Sequence, residues 1–176
     1  MKPVAGWPPA ESIETARLRL EPLRVAHAEE MAKLLADTSL YKFLDEQPET
    51  EDQLRTRYTR LVSGQSPDGQ RGWLNWVVRD RERDDAVGTV QAEARHTGAV
   101  MSAELAWVIG ARYQRKGYAT EAASGLMTWL RQREFRVFIA HVHPDHMASM
   151  AVARHLELEP TDVIFEGETR WARDER

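Results

Sequence analysis

Arg112, Arg115 and Lys116 crowd into the stretch "IGARYQRKGYATEAASGLMTWL" (residues 109–130), beside the small residues Gly117 and Ala119 and directly ahead of a strongly periodic segment. A helix start leaves backbone N–H groups unpaired and carries a partial positive charge. An anion satisfies both. Small residues between Gln114 and Thr120 let a phosphate approach the main chain, and the three cations add charge. Ala119, Ala122, Ala123, Leu126, Met127 and Leu130 then form one apolar stripe at helical spacing. Strand, cationic turn and helix together make a diphosphate cradle. The same pattern fits a solvated basic loop before an ordinary helix, and spacing alone leaves both open. The sequence contains neither GxxxxGK[ST] nor GxGxxG, so neither a P-loop NTPase nor a dinucleotide-binding Rossmann unit is indicated.

A second cluster is "HVHPDH" (141–146). His141 and His143 share one face of a strand, and Asp145 and His146 follow at its end. These residue types suit a metal. A closed site would need all its ligands from one short, Pro-broken segment, and no metal is expected. There is no cysteine, which excludes disulfides, thiolate nucleophiles and Cys-type zinc sites.

The elements that must position these residues follow from pattern. "ARLRLEPL" alternates Leu18 and Leu20 with Arg17, Arg19 and Glu21, a half-buried strand. "VAHAEEMAKLLAD" carries Ala28, Met31, Ala32 and Leu35 at helical spacing. "TEDQLRTRYTRLVSG" opens with a capping box, Thr50 with Gln53, buries Leu54, Tyr58, Leu61 and Val62, and stops at Gly64. "WLNWVVRD", "AVGTVQAEARH" and "VMSAELAWVIG" read as three strands joined by a charged turn and a turn at Gly98, an antiparallel meander. Val137–Val142 is a further strand. "DHMASMAVARHL" is a short helix with a buried stripe of Ala148, Ala151, Val152, His155 and Leu156, and "DVIFEGETRWA" gives one or two short strands around Gly167. Residues 1–14 read as an irregular arm. The order of elements predicts one mixed α/β domain over 1–176.

Composition sets the bounds. The 176 residues are 42% hydrophobic and 30% charged, an ordinary globular balance with six tryptophans. The net charge of −4 argues against a nucleic-acid partner. No apolar run approaches the roughly 18 residues that a spanning helix needs, and the first residues lack a signal-peptide core, so no membrane association and a cytoplasmic location are expected.

Gln114-Arg115-Lys116-Gly117-Tyr118-Ala119 matches the Q/R-x-x-G-x-G/A coenzyme A signature, and here the sequence resembles the GNAT superfamily of acetyl-CoA-dependent N-acetyltransferases. "ARLRLEPL", "AELAWVIGARYQRKGYATEA" and "VHPDHMASMAVARHLEL" resemble the branch that acetylates the N-termini of ribosomal proteins, in the same order. The likeness covers most of residues 15–165. It implies a GNAT fold of six or seven strands with about four helices. It implies acetyl-CoA as cosubstrate and a primary amine, on a protein N-terminus or a small molecule, as acceptor. It also implies that Arg115, Lys116, Gly117, Tyr118, Ala119 and Thr120, after Gln114, line the pyrophosphate contact. The strand at Trp107, Val108 and Ile109 would bond the pantetheine amides.

Direct attack of an amine on a thioester needs a neutral amine, an oxyanion donor and help for the departing sulfur. Ser149 is the candidate acid, because the resembling branch carries Asn-x-Ala-Ser where this chain has His146 to Ser149. Many members use a tyrosine four residues on, where this chain has Ala153. Glu104 is the candidate base, with simple attraction of the ammonium as its alternative role. His146 stands where the pattern has an asparagine that holds the pantetheine arm, and is the rival base. A second departure is Glu157-Leu158 in place of Gly-Phe. These departures motivate a competing reading, a non-catalytic acyl-CoA-binding module. A homodimer is a further possibility.

Overall fold

The structure, a computed structural model, describes residues 6–176. Leu18 and Leu20 are fully buried on one face of strand β2 (Leu18–Pro22), so the apolar alternation sets its orientation. Ahead of it, β1 (Ile13–Glu14) pairs antiparallel with β2 through Ile13↔Leu20. The expected irregular arm is therefore irregular only as far as Ser12 among its described residues. Two residues are too few for periodicity to show, and it is the pairing partner that makes them a strand. Residues 1–5 lie outside the described residues.

A 3₁₀ turn at Val25–His27 leads into α1 (Ala28–Leu34), and α2 (Glu51–Leu61) follows a second 3₁₀ turn at Thr38–Tyr41. Thr50 caps α2 as its spacing predicts: Gln53 N–H donates to Thr50 Oγ1 at 3.2 Å and Thr50 N–H to Gln53 Oε1 at 2.8 Å. Leu54 and Tyr58 are buried, whereas Val62, expected inside, is exposed because the helix has already ended. The meander is β3 (Gly72–Asp80), β4 (Ala86–Thr97) and β5 (Val100–Ile109), antiparallel throughout. Then come α3 (Tyr118–Arg131), β6 (Phe135–Val142), α4 (Met147–His155), β7 (Glu159–Phe165) and β8 (Glu168–Asp174).

All eight strands form one mixed sheet in the order β1-β2-β3-β4-β5-β6-β8-β7. This is slightly more than the six or seven expected; β1 is short, and the C-terminal stretch supplies two full strands. β8 inserts between β6 and β7, an order that local pattern cannot reveal. Glu166 (φ 49°) and Gly167 (φ 83°) both take left-handed conformations in the hairpin turn.

One face of the sheet is covered by α1 and α2 through Ala28, Met31, Leu54 and Tyr58 on Val77. The other is covered by α3 and α4, with Leu126, Leu130 and Val152 on Trp76 and Phe138. Each fully buried leucine contributes about 2 kcal/mol, and the edge-on Trp76–Trp129 pair, 5.3 Å between centroids, adds roughly 1 kcal/mol. Arg79 ties β2, β3 and α1: its Nε donates to Glu21 at 2.6 Å and its Nη2 to Glu30. Burial would raise the Glu21 carboxyl, yet the hydrogen bond and charge of Arg79 hold it below the usual carboxylate range. No described helix is long and apolar enough to cross a membrane.

The feature that makes a site is a break between β5 and β6. Their parallel ladder runs from Met101↔Phe135 to Glu104↔Ile139 and stops. Beyond it β5 stays with β4 as far as Ile109, while β6 stays with β8 as far as Val142. The two strands diverge, and the gap opens toward the start of α3.

Candidate active site

Beyond β5 the chain makes a 3₁₀ turn at Ala111–Tyr113 and enters α3 through a left-handed step. Arg115 (φ 62°) and Gly117 (φ 78°) both adopt positive φ, and Gly117 is the N-cap, with no side chain closing the first turn. A side chain at Gly117 would be strained in that conformation. Gln114 Nε2 donates to Ile109 O at 3.0 Å and pulls the loop onto the end of β5.

The loop is braced from below by residues that its own sequence does not contain. Arg17 Nη1 donates to Lys116 O at 2.9 Å, and Arg17 Nε to Glu121 at 2.7 Å. Glu121 also accepts from Thr15 Oγ1 at 2.6 Å. Burial would raise the Glu121 carboxyl, but the bonds from Thr15 and Arg17 hold it below the usual range. Tyr118 turns inward, and its hydroxyl donates to Asp80 at 2.7 Å. Its side chain therefore anchors the helix, which leaves only its main chain for the pyrophosphate contact expected of it. Ala119 and Thr120 are half-buried at the first turn.

Arg112, Arg115 and Lys116 differ from most other cations of the chain. Arg17, Arg19, Arg79 and Arg131 all hold carboxylates. Among the described residues, no carboxylate lies within 4.0 Å of the three loop cations; Arg112 and Lys116 rest on the Tyr113 ring instead, at 4.7 and 5.6 Å. Exposed, uncompensated cations beside free helix N–H groups fit a diphosphate.

The gap supplies the second half of the fit. Gly110 N–H donates to Val87 O at 2.9 Å, and the β4–β5 register has no shift. Main-chain bonding alternates in an antiparallel pair. Val108 therefore turns its N–H and C=O to β4, whereas Trp107 and Ile109 turn theirs to the gap. Ile109 O is taken by Gln114, so Trp107, just past the ladder, offers both a donor and an acceptor to an extended amide chain. A coenzyme A molecule, with a diphosphate at one end and two amides along its arm, matches both features.

On the far side of the gap stands α4. His146 is its N-cap, and Nδ1 accepts from Ser149 N–H at 3.4 Å. That use of Nδ1 leaves Nε2 protonated in the neutral ring, a donor. Burial, with the charge of His143, keeps His146 below the ordinary imidazole range. His146, and not Ser149, therefore caps the helix. Ser149 Oγ accepts from Trp107 Nε1 at 3.3 Å, across the gap, which leaves its own O–H free to donate. The buried stripe of α4 also differs from expectation. Val152, Ala153 and Leu156 are buried while Ala148, Ala151 and His155 face solvent. Alanines on two faces make the helical pattern ambiguous, and the packing of α4 on β6 decides it.

On the opposite face of the sheet, Glu104 Oε1 lies 2.9 Å from His141 Nδ1. Phe165 of β7 packs on His141 at 5.6 Å between centroids. Phe43, from the α1–α2 connection, stacks on both His143 (5.0 Å) and His146 (4.8 Å). Burial raises the Glu168 carboxyl above its usual range, although His141 and His143 oppose the shift. Glu104, His141, His143 and Glu168 thus form one cluster, with Phe43 and Phe165 packed on its histidines. Among the described residues no group of three or more His, Asp or Glu is disposed to hold a metal.

Arg17, Phe43, Phe165 and Glu168 escape the sequence reading. Phe43 lies in a segment without periodicity, and Arg17 looks like an exposed strand residue. Parity along β5 and β6 places Glu104 and His141 on one face, but nothing local shows that they meet.

Comparison with known proteins agrees with this geometry. Residues 17–159 match the family described as the acetyltransferase (GNAT) domain. No curated protein matches the sequence. Among solved structures, a GNAT-family acetyltransferase from Bacillus anthracis superposes with a TM-score of 0.74 at 19% identity, covering 94% of this chain and 99% of its own. RimL, a ribosomal L7/L12 alpha-N-protein acetyltransferase in complex with coenzyme A, gives 0.72 at 17%, covering 93% and 98%. The microcin C7 self-immunity acetyltransferase MccE, in complex with acetyl-CoA and AMP, gives 0.72 at 14%, covering 91% and 93%. At these identities the structural likeness shows the fold, and the sequence match spans most of the chain: the protein belongs to the GNAT acetyltransferase family.

Proposed function

We infer that the protein transfers the acetyl group of acetyl-CoA to a primary amine by direct attack. The observation that carries this reading is the continuity of the gap beyond Glu104↔Ile139 with the unpaired cations at the start of α3. The diphosphate sits on the loop from Gln114 to Thr120, and the pantetheine arm runs along Trp107 toward Ser149. The amine nitrogen attacks the thioester carbonyl, a C–N bond forms and the C–S bond breaks. Ser149 Oγ–H gives its proton to the departing sulfur and regains one from solvent, while the nitrogen loses its extra proton. Overall, an ammonium and a thioester yield an amide, a thiol and one proton. Trp107 Nε1–H occupies the Ser149 oxygen, which aims the hydroxyl proton elsewhere.

The acceptor enters over Glu104 and Glu168, whose negative charge draws an ammonium. A protein N-terminus is the acceptor we favour, because the sequence blocks resemble the branch that acetylates ribosomal proteins and RimL superposes over nearly its whole length. The test is thiol release from acetyl-CoA with Ser- and Ala-initiated peptides, spermidine and an aminoglycoside, beside calorimetric binding of coenzyme A. Turnover on peptides supports the reading, and turnover only on the small amines replaces its acceptor. Tight coenzyme A binding with no turnover on any amine would sink the transferase assignment.

A further inference from the structure

Glu104 carries the only carboxylate contact of His141 within ion-pair distance among the described residues, 2.9 Å between Oε1 and Nδ1. An ionised carboxylate can only accept, so the bond requires Nδ1–H. The neutral ring then keeps its lone pair on Nε2. Glu104, on the last pair of the β5–β6 ladder, fixes which nitrogen is basic, and His141 stands two residues beyond that pair, where the strands have begun to part.

We propose that His141 takes the proton from the acceptor ammonium at Nε2, directly or through one water, and that Glu104 is a positioning residue that holds Nδ1–H and balances the imidazolium. This deepens the transferase reading and rests on it. Three physical points favour His141 over Glu104 and His146 as the proton acceptor. An unperturbed imidazole, near pH 6.5, matches an amine far better than a carboxylate near 4.3. Glu104 Oε1 is already committed to His141. His146, the rival base at the start of α4, spends its Nδ1 lone pair on the helix cap. The surroundings of His141 suit a ring that gains charge: Glu104 on β5 and Glu168 at the start of β8 are acidic, against His143 just past the end of β6 and Arg170 opposite His141 on β8. Phe165 closes the remaining side.

The proton count is simple. The ammonium N–H bond breaks, the Nε2–H bond forms, and the neutral amine attacks. The imidazolium passes its proton to solvent before the next turnover.

Two measurements test the assignment. The first needs no turnover: the histidine ring nitrogens are followed by NMR in the full chain, with His141→Gln to assign the signals. The expected neutral ring of His141 is protonated at Nδ1, and Glu104→Gln lowers its titration midpoint, because the negative partner is gone. A neutral ring protonated at Nε2, or a midpoint unmoved by Glu104→Gln, overturns the proposal. The second uses acetyl-CoA and whichever amine of the panel turns over. His141→Gln should lower kcat at least tenfold near pH 7, with recovery as rising pH supplies neutral amine. Glu104→Gln should shift the acidic limb of kcat/KM to lower pH. A His141→Gln enzyme with the wild-type limb and kcat overturns the proposal. Failure of the native protein on every amine refutes the transferase reading instead, and the ring titration still judges the pair.

Discussion

The Tyr118 hydroxyl donates to Asp80 at 2.7 Å, joining the first residue of α3 to the last residue of β3 beneath the cationic loop. The bond holds the Asp80 carboxyl below its usual range, with help from the Arg83 and Glu82 N–H groups, and raises the Tyr118 phenol. Tyr118→Phe should cost about 1–2 kcal/mol in urea unfolding, since Asp80 keeps its two main-chain donors. Coenzyme A affinity should fall less than threefold, because the side chain points away from the loop surface. A large loss of affinity with unchanged stability would contradict this division of labour.

The loop cations make the opposite prediction. Arg115→Ala and Lys116→Ala should leave stability within about 0.5 kcal/mol, as changes at exposed residues without a carboxylate partner do. Each should weaken coenzyme A binding by roughly tenfold, the loss of one charge-assisted contact. The native affinity should fall as salt rises, and the double variant should respond less. Calorimetry at two ionic strengths decides the point.

Ser149→Ala should lower kcat by roughly tenfold or more and leave coenzyme A affinity nearly unchanged. Trp107→Phe, which removes the donor to Ser149 Oγ, should give a smaller loss in kcat. Single-turnover rates are the measurement, so that product release does not mask chemistry.

Arg79 predicts an acid-sensitive stability. The folded Glu21 carboxyl binds its proton less readily than the unfolded one, so its contribution is complete above about pH 4.3 and is lost as pH falls through the lower folded value. Arg79→Met leaves Glu21 and Glu30 without their shared partner. The cost near pH 7 should be about 2 kcal/mol, short of a fully buried pair because Glu30 is 39% exposed. The gap between native and variant unfolding curves should be full at pH 7 and close only as pH falls below about 4, through the folded value of Glu21.

Local features were legible in the sequence. The Thr50–Gln53 cap, the meander and the apolar stripe of α3 depend on neighbours in the chain, and composition shows them. The cationic turn was legible for the same reason. What escaped depends on distant segments meeting. Arg17 reaches Lys116, Phe43 reaches His143, and β8 slips between β6 and β7. The Glu157 departure also finds its reason only in three dimensions. Glu157 sits at φ 58° just after α4, where the N–H groups of Glu157 and Leu158 donate to Arg154 O and Ala153 O. This is the helix-ending motif that glycine usually serves. Arg173 holds the glutamate side chain in an ion pair.

The break between β5 and β6 makes the sheet two plates joined by a short seam. A ligand laid in the gap would act as a rung between them, bonding Trp107 on one plate and resting against α4 on the other. Binding then becomes a mechanical event as well as a chemical one. The Trp107 amide, exchanging with solvent in the free protein, would slow with the whole seam, and the melting temperature would climb with ligand concentration. A substrate bound in this way would also be a structural member of the sheet.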